Sequence, residues 1–125
     1  MAVWPDYAQV GAGDYGVRDA PAVRRTRFED GAVRQERAYT ESFTRRRVVA
    51  LLESDAHRVS FRTWAADHAH TWFTWADPED GVQRRVRVVD GAGGIDYRAV
   101  VEPARTRRWE ARLELEGLWS DTVAP

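Results

Sequence analysis

Residues 45–78, RRRVVALLESDAHRVSFRTWAADHAHTWFTWADP, place a strand signal, a helix signal and a second strand signal in immediate succession. Val48 to Leu52 is continuously apolar and partly β-branched, which predicts a strand buried on both faces. Ser54 reads as a helix N-cap, with Asp55 in the first turn, where the helix dipole favours negative charge. The helix is expected to run to about Asp67. Arg58 and Arg62 lie four apart and share a wet face, while Ala56, Phe61, Trp64 and Ala65 form an apolar arc. Trp72-Phe73-Thr74-Trp75 is too aromatic for an ordinary surface strand, and Pro78-Glu79-Asp80-Gly81 closes it as a turn. This strand-helix-strand unit is expected to be the packing centre of a β-rich domain.

On the N-terminal side, Ala22 to Glu29 and Ala32 to Tyr39 flank Asp30-Gly31, a good short hairpin signal. Residues 1–21 contain Pro5, Gly11, Gly13 and Gly16 and no sustained period, so they read as an arm or loop and not a folded element. Its aromatics, Trp4, Tyr7 and Tyr15, must lie against something, either their own domain or a neighbouring subunit. On the C-terminal side, Val82, Val86 and Val88 share one face of a strand opposite Gln83, Arg85 and Arg87. Asp90 to Gly94 is a glycine-rich loop, and alternation from Ile95 to Val101 predicts a hairpin with the preceding strand. Trp109, Ala111, Leu113 and Leu115 alternate with Arg108, Glu110, Arg112, Glu114 and Glu116, the pattern of a half-buried antiparallel strand that Gly117 interrupts. The expected fold is mainly β: an antiparallel sandwich or barrel of six to seven strands with one helix packed on it. Residues 22–119 form the single domain, and 120–125 a short tail.

At 125 residues the chain is long enough to bury a substantial core without a metal or disulfide staple. It has no cysteine, which excludes thiolate chemistry and cysteine-ligated metal sites. No apolar run approaches a membrane span, and MAVWPDYAQV lacks the basic start and apolar core of a signal peptide, so a soluble product made in the cytoplasm is expected. The formal net charge is −1, with all nineteen basic residues arginine, which argues against a protein that coats nucleic acid. Coding bias explains an all-arginine chain; a want of planar guanidinium pairs at subunit contacts is the functional alternative.

Asp67, His68 and His70, with His57 nearby, are the one metal-like cluster, but no third ligand stands at a recognised spacing. Ser42, Ser54, Ser60 and Ser120 lie in no nucleophile-elbow context. Gly91 to Gly94 lacks the lysine and following helix of a phosphate loop. The reading is therefore non-enzymatic, without catalytic residues, cofactor or metal. Arginine clusters interleaved with tryptophans leave a single-stranded nucleic-acid binder open, and Trp72 or Trp75 a carbohydrate-binding module.

Arg27-Phe28-Glu29-Asp30-Gly31, the helix ending in Phe61-Arg62-Thr63-Trp64 and the following Trp72-Phe73-Thr74-Trp75 strand together resemble the minor tail protein M family of phage lambda and related long-tailed phages. The likeness covers roughly residues 22–119; Ala32 stands where that family commonly has tyrosine after the Asp-Gly turn. The resemblance implies a virion structural protein of the tail tip with a tail-tube-like fold. It further implies a six-fold ring that links the tail tube to the hub, with copies of itself and the adjacent tail proteins as partners. Another neck or tail connector of the same fold is the alternative. It carries over no catalytic residue. On this reading the expected subunit contacts are Trp4, Tyr7 and Tyr15 of the arm, Asp90, Gly91 and Gly93 of the loop, and Arg108, Arg112 and Glu114 of the mixed-charge strand.

Overall fold

The structure, a computed structural model, describes residues 2–11, 15–19, 23–27, 33–37, 43–100 and 107–123. Its backbone is a long antiparallel ladder between β6 (Phe43–Leu52) and β10 (Arg108–Leu118), in register from Leu52 opposite Trp109 to Phe43 opposite Leu118. The two alternating patterns interlock: Val48, Ala50 and Leu52 of one strand and Ala111, Leu113 and Leu115 of the other are buried. Val49 is buried as well, so β6 is covered on both faces along its apolar half, as its unbroken apolar run predicts.

The helix α1 (Asp55–His68) follows at once. Ser54 has extended backbone angles and its hydroxyl accepts the backbone N–H of His57 at 3.1 Å, the expected N-cap. Phe61 and Ala65 are buried and Trp64 packs beside them. Two expectations fail here: Ala56 is exposed, and Arg58 leaves the wet face to lie over the rings of Tyr97 and Trp109. Its long side chain covers apolar surface that alanine is too short to reach. Next come β7 (Phe73–Ala76), which buries Phe73 and Trp75, and β8 (Gln83–Val88), its antiparallel partner.

The expected hairpin between β8 and β9 (Asp96–Val100) does not form. Both strands pair antiparallel with the same edge of β10, β8 opposite Leu115–Glu116 and β9 opposite Arg108–Arg112. Between them the chain coils through a 3-10 turn, Gly91–Gly94, and resumes in the same direction. A Cβ on Gly94 would run into the carbonyl of Val89, so the glycines permit a coil tighter than a hairpin loop. Nor does Gly117 interrupt β10. A Cβ there would come within 2.6 Å of the Arg85 carbonyl, so this glycine allows close approach of a neighbouring strand.

The first twenty residues, expected as irregular, supply three short strands: β1 (Ala2–Val3), β2 (Gln9–Val10) and β3 (Gly16–Asp19). Each is too short to display a period, and pairing with longer strands creates it. β1 lies parallel to β7, whereas β2 and β3 share the free edge of β6. The result is an open mixed sheet of eight strands, ordered β1-β7-β8-β10-β6-β2, in place of the purely antiparallel six or seven expected. Its first and last strands, β1 and β2, are joined only by Trp4–Ala8, so the two ends of the path lie within roughly 20 Å of one another. The hairpin predicted around Asp30-Gly31 is present as β4 (Val23–Arg27) and β5 (Val33–Arg37), a separate two-stranded sheet whose turn lies outside the described residues.

Candidate assembly surface

The outer face of the sheet is a lattice of charges produced by strand parity. Arg45 and Arg47 of β6 share the outward parity with Arg112, Glu114 and Glu116 of β10, and over this part of the ladder the register brings arginine and glutamate side by side. Arg45 stands opposite Glu116 and Arg47 opposite Glu114, and β8 adds Arg87 opposite Glu116. Arg87 Nε donates to Glu116 at 2.8 Å, Arg112 reaches Glu110 at 3.4 Å, and Arg45 approaches Glu114 at 4.0 Å. Exposed pairs of this kind contribute little stability and much directional, solvent-accessible charge.

The candidate contact residues are scattered over the domain. Trp4 and Tyr7 lie on their own domain: Trp4 packs edge-on against Phe61 (5.4 Å) and Trp64 (5.6 Å), with its indole N–H on the Ala8 carbonyl, and Tyr7 stacks on His57 at 5.1 Å. Tyr15 sits at the other end of the interior and donates its hydroxyl to Asp77. Asp90, Gly91 and Gly93 lie in the turn between β8 and β9, which packs against the end of α1: a Cβ on Gly91 would lie 3.3 Å from the His70 Cβ. Asp90 has a left-handed backbone, φ 65°, at the entry to the turn. Arg108 begins β10, away from this group, next to Arg107, which forms two hydrogen bonds to Asp55. With the Trp109 indole N–H also on Asp55, that carboxyl is held well below the usual carboxylate range, at about 2.

Sequence reasoning missed a charged group at one end of the interior. Asp77, fully buried, accepts Arg46 Nε and an Arg84 terminal nitrogen on one oxygen, both at 2.9 Å. Its other oxygen accepts the Tyr15 hydroxyl at 2.8 Å and the Glu79 backbone N–H at 2.9 Å. Arg84 also forks onto both oxygens of Asp80, and its guanidinium lies 4.1 Å from the Trp119 ring centre. The Asp80 carboxyl is thereby held at about 2, first by the Arg84 hydrogen bonds and then by the Val82 backbone N–H. Burial, with the bond to Asp77, pushes the Tyr15 phenol well up. Both terminal nitrogens of Arg46 are buried without a hydrogen-bond partner, as is the Trp75 indole nitrogen. Parity carried a signal for this group: Arg46 shares the inward parity of Val48 and Ala50, Arg84 that of Val86, and Asp77 that of Trp75.

Among the described residues, no group of three histidine, cysteine, aspartate or glutamate side chains is placed to hold a metal ion. No described helix is long and apolar enough to cross a membrane. No protein-family model matches the chain, and no curated protein matches it.

Proposed function

We propose that this chain is a non-enzymatic structural protein of a phage or prophage tail, a minor tail protein that joins the tail tube to the hub. The supporting observation is the succession of long strand, capped helix and aromatic strand, β6-α1-β7, inside a sheet whose end strands are tied by Trp4–Ala8. A sheet so tied is read here as a barrel of the tail-tube kind, with α1 as its cover. Such a body does its work through surface area. The lattice on β10 and the neighbouring Asp90–Gly94 turn then serve as ring contacts, and Trp4 and Tyr7 serve as the scaffold behind them.

The test is deletion of the coding sequence from a phage or prophage that carries it, with the lysate inspected by electron microscopy. The expected result is loss of finished tails and of infectivity, both restored by the chain supplied in trans. Normal infectious particles made without it would end this reading.

A further inference from the structure

We propose that Arg18, Arg45 and Arg47 form a receptor for the carboxylate side chains of an acidic segment of another protein. These arginines line a concavity of about 340 Å³ on the outer face of the sheet, together with Gly16, Val17 and Glu114. The register places Arg18 directly opposite Arg45, and Gly16 opposite Arg47. Like charges set opposite one another across two strands work against the sheet that holds them. A local rule broken without a compensating contact is the mark of a site shaped for something else.

Compensation from within the chain is small. Glu116, which faces Arg45 in register, is committed to Arg87 at 2.8 Å. Among the described residues Glu114 is the one carboxylate that lines the concavity, and it stands 4.0 Å from Arg45. Arg18 and Arg47 have no ion-pair partner among the described residues. Three guanidinium groups thus face one carboxylate. Gly16 supplies the space: a Cβ at that position would lie 3.1 Å from an Arg47 terminal nitrogen, so the absent side chain lets Arg47 lie across the strand.

The chemistry favours a carboxylate on a protein over a phosphate backbone. Guanidinium forks match carboxylate and phosphate equally well, so the distinction between them rests on what else lines the concavity. Among the described residues no aromatic ring lines the concavity, so none of them offers a platform on which a base could stack. The site holds whether or not the chain belongs to a tail, because it needs only the folded domain.

The test measures binding of a fluorescent, end-capped oligoglutamate peptide to the intact chain at low ionic strength, against an oligothymidylate control. Arg18→Ala and Arg47→Ala are each expected to weaken peptide binding about tenfold, the scale of a charge-assisted hydrogen bond. Gly16→Leu fills the concavity and is expected to abolish binding with the thermal transition unchanged. Glu114→Gln, which removes the competing carboxylate, is expected to tighten it. Arg62→Ala, an exposed arginine on α1, is the control and leaves binding as it was. The proposal is overturned by an absence of peptide binding, by an equal loss from Arg62→Ala, or by tighter binding of oligothymidylate than of peptide.

Discussion

The interior of this protein has two halves built on the same strands, and they behave differently. At one end Phe61, Phe73, Leu52 and Trp4 pack without a charge; at the other Arg46, Asp77 and Arg84 are equally deep. Each strand changes character partway along one face: β6 from Arg46 to Val48, β8 from Arg84 to Val86, and the β7 segment from Trp75 to Asp77. Inward position is therefore set by parity and pairing and does not guarantee an apolar residue. The apolar half loses stability in proportion to the volume removed. The charged half is a set of hydrogen bonds centred on Asp77, in which the loss of one member leaves another buried charge uncompensated.

The largest expected effect separates the two halves. Asp77→Ala leaves the buried Arg46 guanidinium without a counter-charge and Arg84 with Asp80 alone, and should cost about 5 kcal/mol in denaturant unfolding, enough to unfold a marginal domain. Phe73→Ala removes a buried ring from the other half and should cost about 4 kcal/mol, and Trp64→Ala, at a partly buried ring, about 3. A loss of assembly with unchanged stability in either aromatic variant would mark this stretch as an interface. The sharper comparison replaces the charged set together. Arg46→Met with Asp77→Leu and Arg84→Met should restore stability to within about 1 kcal/mol of the parent or raise it, because no buried charge is left unpaired. A triple variant as unstable as Asp77→Ala would show that the charges also organise the backbone around them.

Stability also responds to pH at both ends of the scale. Raised phenol values stabilise the fold below the ordinary tyrosine range and withdraw that support as pH climbs beyond it. Tyr15, pushed up by burial and its bond to Asp77, should therefore stay protonated past about pH 10, and stability should fall above that point. Absorbance of tyrosinate followed alongside circular dichroism checks this; early ionisation of Tyr15 in the folded chain would break the buried bond from the account. Depressed carboxyls act in the opposite direction. Asp55 and Asp80, both held at about 2, support the fold above the ordinary aspartate value, and that support should drain away between about pH 4 and pH 2. The smallest effect tests the link between strand and helix: Ser54→Ala should cost about 1 kcal/mol through the lost N-cap, with the charged half untouched.

Much of this was legible in residues whose neighbours in sequence are also their partners in structure. The helix with its Ser54 cap, the apolar run of β6, the alternation of β10 and the Asp30-Gly31 hairpin could all be read directly, because each signal is contained within a few turns or a single strand. The charged end was half legible: the parity was there, yet an arginine among valines reads as an outward residue until its carboxylate is known to lie opposite. For the contact surface, sequence singled out Arg112 and Glu114, but the arginines that crowd beside them, Arg18 and Arg47, come from strands whose pairing was not foreseeable.

The sequence by itself determined the local periods and the helix cap. Tertiary structure alone decided that β8 and β9 share one edge of β10, that a two-residue strand lies parallel to β7, and that Arg46 and Arg84 converge on Asp77. The physical reason is that periodicity follows from the geometry of adjacent residues, whereas the choice among available strand edges depends on burying every apolar face at once.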